Sequence, residues 1–139
     1  MYRVTREIAF CYGHRLLNYE GKCRHLHGHN GRVVVTLEAP TLDARGMLVD
    51  FADIKGSVQR WIDDHLDHNM LLHKDDPLLP ILIERGERVF VMNDNPTAEN
   101  IARLIFERSV ELGLPVVKID LWETDNCHAT YLGDSDNQC

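Results

Sequence analysis

The sequence lacks the long apolar runs of membrane proteins. No hydrophobic stretch approaches the roughly 20 residues that a membrane-spanning helix requires. The N-terminal residues Met1 to Glu7 also lack the apolar centre of a signal peptide. We therefore expect a cytoplasmic protein with no membrane partner.

Paired cysteine motifs are also missing. The four cysteines form no CxxC pair, and they are Cys11, Cys23, Cys127 and Cys139. In a reducing compartment each is better interpreted as a free thiol than as half of a disulfide framework. This interpretation leaves room for one reactive cysteine.

Positive charge is scarce. Fifteen Lys and Arg residues stand against 22 Asp and Glu residues, which gives a net charge of −7. No Lys- or Arg-rich stripe is interleaved with aromatic residues, so we expect no nucleic-acid partner. A small anionic substrate is still compatible with this charge, because one pocket can be positive on an acidic surface.

The length and overall composition of the chain are those of a globular domain. The chain has 139 residues, of which 44% are hydrophobic and 27% are charged, with 9 Gly and 5 Pro. A chain of this length can bury roughly two-thirds of its unfolded surface without the help of a disulfide or a metal. We expect a single domain over residues 1–139.

Hydrophobic periodicity predicts an α+β fold. Alternating and β-branched residues indicate strands over 2–12, 32–38, 47–50, 88–92, 116–122 and 127–132. Helical spacing indicates a helix from near Asp53 to near Asp67 and a shorter one over 77–84. A further helix begins within 95–99, where a capping side chain, a proline and a carboxylate occur together, and runs to Gly113. The order of strands and helices predicts antiparallel pairing.

Histidine is the unusual residue, since four of the eight histidines lie between His14 and His29. His27 and His29 project from the same side of an extended chain, because strand side chains repeat every second residue. Catalytic zinc takes three protein ligands and keeps one position open, and imidazole suits it. Either His14, across a hairpin, or His25 could be the third ligand, and the spacing does not choose between them. The alternative is that the four histidines form a solvated polar loop.

Five motifs occur in order along nearly the whole chain. They are Phe10 to Leu16 (FCYGHRL), Cys23 to His29 (CRHLHGH), Leu66 to His68 (LDH), Pro96 to Asn100 (PTAEN) and Glu123-Thr124. Together they resemble the motifs of the 6-pyruvoyltetrahydropterin synthase family, which includes the 6-carboxytetrahydropterin synthases of queuosine biosynthesis.

The resemblance implies a fold and an assembly. The fold is the T-fold (tunnelling fold), in which an antiparallel sheet carries helices on one face and subunits pool their strands into a β-barrel. The assembly is a homohexamer, built as a dimer of trimers, with active sites at the subunit interfaces.

The resemblance also selects the zinc ligands. It makes His14, His27 and His29 the ligands of Zn²⁺ and leaves His25 outside the site. Zinc bound to the hydroxyl oxygens of a pterin side chain would acidify the adjacent carbon-bound hydrogens.

Four further residues receive roles through the resemblance. Cys23 is cast as the general base, and Asp67 with His68 as its partner relay. Glu123 matches the carboxylate that binds the amino and ring nitrogens of the pterin, which suits a planar bidentate acceptor. A thiol becomes a useful base where nearby cations or a metal lower its pKa. The structural alternatives are an inert thiol, a helix-capping pair and a solvated strand-end carboxylate.

Other candidate residues are left outside the catalytic set. Thr97 and Glu99 are interpreted as helix-start residues, because capping and the helix dipole already explain them. The basic residues of the histidine loop fit either a substrate triphosphate or a solvated loop edge, and they are Arg15, Lys22 and Arg24. We expect Cys11, Cys127 and Cys139 to be non-catalytic.

The short spacing from Cys23 to His27 resembles the carboxytetrahydropterin branch more than the animal pyruvoyl branch. On this interpretation the enzyme is a carbon–oxygen lyase that converts 7,8-dihydroneopterin triphosphate to 6-carboxy-5,6,7,8-tetrahydropterin, acetaldehyde and triphosphate. The alternatives are 6-pyruvoyltetrahydropterin formation, as in tetrahydrobiopterin synthesis, another cleavage of the dihydroneopterin side chain, or a non-catalytic zinc- or pterin-binding protein. The stretch 73–95 departs from the compact bacterial pattern by its length.

Overall fold

The computed structural model describes residues 1–134, and Cys139 lies outside the described residues. The strands of this part of the chain are β1 (Tyr2–His14), β2 (His27–Ala39), β3 (Asn69–His73), β4 (Val89–Met92), β5 (Val116–Thr124) and β6 (Cys127–Tyr131). The helices are α1 (Phe51–Ile54), α2 (Arg60–His65), α3 (Leu79–Glu84) and α4 (Ala98–Glu111), with a π-helical segment (Lys55–Gln59) that joins α1 to α2. A short 3₁₀ turn (Lys22–Arg24) lies between β1 and β2.

The strands form a mixed sheet in the order β4-β3-β1-β2-β5-β6. The predicted antiparallel pairing holds for β1, β2, β5 and β6, whereas β3 is parallel to both β1 and β4. Strand β3 was not predicted because Leu71 and Leu72 are both fully buried, so the segment shows no polar–apolar alternation. The α+β class is confirmed, and the sheet is mixed rather than wholly antiparallel.

The segment before α1 differs from the prediction. The expected strand over 47–50 is wrong, because the Asp43 carboxylate accepts bonds from the backbone N–H groups of Arg45 and Met47 and closes a turn. The helix begins at Phe51 instead of near Asp53, since the Asp50 side chain caps it by accepting from the N–H of Ala52.

One face of the sheet packs against the helices and forms the core. Even-numbered residues of β1, such as Ile8 and Phe10, share this face with Val33 and Val35 of β2, because directly paired residues project to the same side. The helices contribute buried apolar side chains, including Ile54, Ile62, Ile101 and Ile105. Within residues 1–134, no helix is both long enough and apolar enough to span a bilayer. Because the even-numbered residues of β1 face the core, the last residue of this strand, His14, also lies on the helix-covered face.

Candidate functional site

Three histidines meet at the end of the helix-covered face. The β1–β2 register pairs His14 with His27, and His29 lies two residues further along β2 on the same face. One side-chain nitrogen from each lies within 4.8 Å of the others. The structure thus brings His14, and not His25, to the predicted pair. The histidines lie on strands, so the alternative of a solvated loop does not describe these three.

Backbone carbonyls orient two of these rings. His14 donates from Nδ1 to the carbonyl oxygen of Pro96 at 2.6 Å, and His27 donates from Nδ1 to that of His25 at 2.7 Å. The Nε2 atoms of both rings are then unprotonated, and they are buried without a hydrogen-bond partner among the described residues. Histidines that bind metals commonly donate their other ring N–H in this way. The donor set therefore fits a zinc ion.

Glu123 and Tyr12 lie beside the three histidines. Glu123 Oε1 is 3.9 Å from His14 Nε2 and accepts a hydrogen bond of 3.2 Å from the Tyr12 hydroxyl. Burial lowers the pKa of His14 below its ordinary value, which keeps the ring neutral at pH 7. Burial, together with the Glu123 charge, raises the pKa of Tyr12, so the phenol stays a donor. Sequence reasoning gave Tyr12 no role, although the period of two from His14 places it on this face.

Asp67 and His68 contact each other between α2 and β3. The His68 ring donates from Nδ1 to Asp67 Oδ2 at 2.8 Å, and Asp67 Oδ1 accepts from the backbone N–H of Cys11 at 2.9 Å. The His68 N–H in turn donates to the Cys11 carbonyl at 2.7 Å. Both carboxylate oxygens of Asp67 thus accept bonds from residues outside α2, so the alternative in which this side chain caps the helix does not describe it.

The cluster around Asp67 and His68 also contains an unusual backbone conformation and a carboxyl group with a lowered pKa. His68 has φ 58°, a left-handed conformation that is uncommon for a residue with a side chain. Burial opposes ionisation of Asp67, but the bonds from Cys11 and His68 outweigh it and lower the pKa of the carboxyl. One ligand atom each from Cys11, Asp67 and His68 lies within 4.8 Å of the others. Cys11, expected to be non-catalytic, is therefore beside the predicted relay.

The two clusters lie on opposite faces of the sheet within one chain. Cys11 and His14 are separated by three residues on β1, so their side chains project to opposite sides. A cavity of about 640 Å³ opens on the Cys11 side and reaches the strand segment with His27 and His29. His68 lines it, whereas Cys23, half-buried in the 3₁₀ turn, neither lines it nor belongs to either cluster.

Two residues left outside the catalytic set have structural contacts. Thr97 caps α4 by accepting from the N–H of Asn100, so its interpretation as a helix-start residue is confirmed. Arg15, which was left open between a substrate contact and a loop edge, forms an ion pair with Asp76.

Several known proteins are similar to this chain in sequence. The sequence model of 6-pyruvoyl tetrahydropterin synthase matches residues 3–134. The 6-carboxy-5,6,7,8-tetrahydropterin synthase of Rickettsia typhi is 40% identical over 134 residues, which cover 91% of this chain and 97% of that protein. The protein of the same name from Haemophilus influenzae is 30% identical over 94% of this chain and 99% of its own length.

Solved structures show the same fold. An uncharacterized protein from Wolinella succinogenes superposes with a TM-score of 0.80 at 31% identity, over 96% of this chain and 98% of that one. The 6-pyruvoyl tetrahydropterin synthase of Caenorhabditis elegans superposes with a TM-score of 0.72 at 23% identity, over 96% of each chain. The expected T-fold is confirmed at the level of the single chain, as a mixed sheet with helices. The chain belongs to the 6-pyruvoyl tetrahydropterin synthase family.

Proposed function

We propose that this protein is a zinc-dependent 6-carboxy-5,6,7,8-tetrahydropterin synthase of queuosine biosynthesis. It would convert 7,8-dihydroneopterin triphosphate and one water molecule to 6-carboxy-5,6,7,8-tetrahydropterin, acetaldehyde and triphosphate. The observation that carries the proposal is the pair of buried, unpartnered Nε2 atoms of His14 and His27 beside His29. The 40% identity to a synthase of this name, over nearly the whole of both chains, supports the choice of product.

His14, His27 and His29 would hold the zinc ion. When bound, zinc supplies a Lewis acid that acidifies the carbon-bound hydrogens next to the substrate hydroxyls. The carbonyls of Pro96 and His25 fix the tautomers of two rings, so each presents a lone pair without a change of protonation.

Glu123 would anchor the pterin ring. A carboxylate can accept two N–H groups side by side, and the amino and ring nitrogens of a pterin present such a pair. The Tyr12 hydroxyl donates to Oε1, which restricts the rotation of the carboxylate. Because Glu123 Oε1 lies 3.9 Å from His14 Nε2, a ring bound there would place its side chain beside the three histidines.

Cys23 would remove the proton from the substrate side chain, and Asp67 with His68 would relay protons. The bond from His68 Nδ1 to Asp67 leaves Nε2 as the ring atom that can take up or release a proton. Within one chain this relay and the three histidines are on opposite faces of the sheet. We therefore propose that a complete site forms between subunits of a homohexamer, a dimer of trimers, as the family resemblance implies.

The remaining parts of the proposal concern the chain as a whole. Residues 1–139 form one domain that acts in the cytoplasm. Among the described residues Cys11, Cys23 and Cys127 are free cysteines, which fits a compartment that keeps thiols reduced.

Product analysis tests the proposal. Purified, zinc-loaded protein is incubated with 7,8-dihydroneopterin triphosphate, and the products are identified by mass spectrometry. We expect the carboxytetrahydropterin and acetaldehyde from the wild type, no turnover with Cys23→Ala, and normal turnover with Cys127→Ala, a control at an exposed cysteine. A pyruvoyl product would assign the protein to the other branch of the family, and binding without turnover would indicate a zinc- or pterin-binding protein.

A further inference from the structure

The segment between β3 and α4 contacts the loop that follows β1 through a buried ion pair. Arg15 donates from Nε to Asp76 Oδ2 at 2.7 Å and from a terminal nitrogen to Oδ1 at 2.5 Å. The Asp76 side chain is 0% exposed, and its Oδ1 also accepts from the N–H of Leu78 at 2.8 Å. A bidentate pair at a buried carboxylate fixes both the position and the direction of the guanidinium group.

Asn95 forms a second link from the same segment to the same loop. Its side chain accepts from the N–H of Leu17 and donates to the carbonyl of Leu17, both at 2.8 Å. Its own carbonyl accepts from the N–H of Thr97 and from the side chain of Asn100, which ties it to the start of α4. Leu17 is therefore held on both backbone groups by one side chain that the helix itself positions.

Leu16 lies between the two residues held in this way, and its backbone is hydrogen-bonded to Cys23, whose thiol is the proposed base. The N–H of Leu16 donates to the carbonyl of Cys23 at 2.8 Å. Arg15 and Leu17, on either side of Leu16, are the residues held by Asp76 and Asn95. Displacement of residues 15–17 would therefore move the Cys23 backbone.

We propose that Asp76 and Asn95 are positioning residues that set the Cys23 thiol for proton abstraction by acting through residues 15–17. The inference rests on the proposed role of Cys23 and gives a task to the long stretch 73–95. A misplacement of about 1 Å in a catalytic group can cost about 100-fold in rate. Asp76 and Asn95 belong to neither side-chain cluster of the site, so their loss should lower kcat more than it changes KM or zinc affinity.

Two variants and two matched controls test this inference. Asp76→Asn weakens the first link and Asn95→Ala removes the second. Asp75→Asn and Asn93→Ala are the controls, because both of these side chains belong to exposed residues next to or near the tested ones. Each protein is treated with iodoacetamide without substrate, and alkylation of each cysteine is followed by peptide mass spectrometry. Zinc affinity, kcat and KM are measured on the same samples.

We expect Asp76→Asn and Asn95→Ala each to raise the alkylation rate of Cys23 about fivefold or more, with Cys127 within about twofold, and to lower kcat about tenfold or more. Arg15→Gln should reproduce the effect of Asp76→Asn. The double variant Arg15→Gln/Asp76→Asn should show no larger change in alkylation rate or kcat than either single variant, because the pair acts as one unit. KM and zinc affinity should stay near their wild-type values in all of these variants.

Several results would overturn the inference. The first is that Asp76→Asn and Asn95→Ala have the same Cys23 alkylation rate and the same kcat as the two controls. Another is a fall in kcat that accompanies weaker zinc binding while Cys23 alkylation is unchanged, since the segment would then act on His14. If Asp76→Asn fails to fold, Asn95→Ala decides the question. If the wild type turns over no dihydroneopterin substrate, the proposed function fails, while the alkylation rates still decide whether the segment positions Cys23.

Discussion

At the scale of the residue, hydrogen bonds on the far side of two imidazoles orient the ligands of the proposed metal centre. His14 reaches a carbonyl 82 positions away in sequence, at Pro96, and His27 reaches one two positions away, at His25. Both bonds use Nδ1, so Nε2 is the ring atom left to accept, and a buried acceptor without a donor is costly. A bound cation would remove that cost.

Removal of one imidazole should therefore abolish tight zinc binding. We expect His27→Ala to bind zinc more weakly than the wild type by more than the 10- to 100-fold (about 1.4 to 2.7 kcal/mol) that the loss of an outer-shell partner costs. The measurement is zinc per chain by elemental analysis, together with competition against a chelator. His25→Ala is the matched control, because the carbonyl of His25, and not its ring, accepts the bond from His27. Equal zinc affinities of the two variants would contradict the proposed ligand set.

Glu123 should govern affinity for the pterin rather than for the metal. In Glu123→Gln one acceptor oxygen becomes an amide donor that faces the N–H groups of the pterin, so we expect a loss of about 2–3 kcal/mol in pterin binding. Titration of the zinc-loaded protein with a fluorescent pterin measures this loss. Tyr12→Phe keeps the carboxylate and should cost only about 1 kcal/mol. A Glu123→Gln variant that binds the pterin as tightly as the wild type would exclude the proposed anchor.

The limits of sequence reasoning at this scale follow from the kind of contact involved. The spacing of His27 and His29 on one strand and the family motifs were enough to predict the group of three histidines. The motifs also assigned Asp67 and His68 to one relay, but they did not predict that these two side chains touch. The sequence analysis missed the carbonyl of Pro96, because a backbone acceptor leaves no trace in the identity of the residue. It also did not place Cys11 beside His68, because that contact depends on the parallel pairing of β3 with β1.

At the scale of the element, the start of α4 combines stability with the geometry of the site. The turn before the helix holds Asn95 against Leu17, and the next residue, Pro96, accepts from His14. The Thr97 side chain closes this turn by capping the helix. The capped start of α4 thus supplies one contact to the proposed metal centre, through the Pro96 carbonyl.

Loss of this cap should destabilise the protein measurably. We expect Thr97→Ala to lower the free energy of unfolding by about 1 kcal/mol, because one N–H of the first helical turn loses its acceptor. Urea unfolding of the zinc-free protein measures the change. Thr41→Ala, at an exposed threonine, is the control and should stay within about 0.5 kcal/mol of the wild type. Equal stability of Thr97→Ala and Thr41→Ala would refute the capping contribution.

The contact between Asp76 and Arg15 should make stability depend on pH. Burial opposes ionisation of Asp76, but bonds from Arg15 and Leu78 and the nearby charges of Arg15 and His73 outweigh it, so the pKa is lowered from 3.8. A depressed folded-state pKa adds stability above the unfolded value of 3.8, and this stability is lost as pH falls through the folded value.

The corresponding measurement is urea unfolding of the wild type and Asp76→Asn across acidic pH. We expect the stability gap between them to be constant above about pH 5 and to narrow as pH falls below the unfolded-state pKa. Asp75→Asn, at an exposed carboxylate, should show no such narrowing. A gap that stays constant down to acid unfolding would show that Asp76 does not contribute through its charge.

Strands and helices with a strong hydrophobic periodicity were predicted more accurately than those without it. Strands β1 and β5 and helix α4 have a clear period and were predicted closely, whereas β2 begins at His27 instead of at the predicted Arg32. Strand β3 was missed, because a short parallel strand that is buried on both faces has no alternation. The strand over 47–50 was predicted wrongly, because apolar residues next to the turn over 43–47 have the composition of a short strand.

At the scale of the whole molecule, the order of the motifs predicted the family and an enzymatic function, and the relatives confirm both. Within residues 1–134 the mixed sheet ends in two strands, β4 and β6, that have a partner on only one side. Such edges present unpaired backbone groups, which another subunit can cover. The opposite placement of the histidine cluster and the relay gives a second, independent reason to expect that sites need more than one chain.

Complementation between inactive variants tests whether Cys23 and His68 of one site come from different chains. Cys23→Ala and His68→Ala should each be inactive as pure assemblies. If each site takes Cys23 from one chain and His68 from another, random mixing of equal amounts after dissociation and reassembly should restore about a quarter of the wild-type activity, since about one site in four then receives both intact residues. The readout is turnover of 7,8-dihydroneopterin triphosphate against the mixing ratio.

The mixing curve carries more information than the yield at one point. Restored activity should peak at equal amounts and fall to zero at either end, because a site needs one chain of each kind. The control is a mixture of Cys23→Ala with Cys23→Ala/His68→Ala, which contains no intact Cys23 and should stay inactive at every ratio. If one chain supplied both residues, every site in the first mixture would lack one of them, and no ratio would restore turnover. Full inactivity, with subunit exchange verified by native mass spectrometry, would therefore place the relay and the thiol in the same chain.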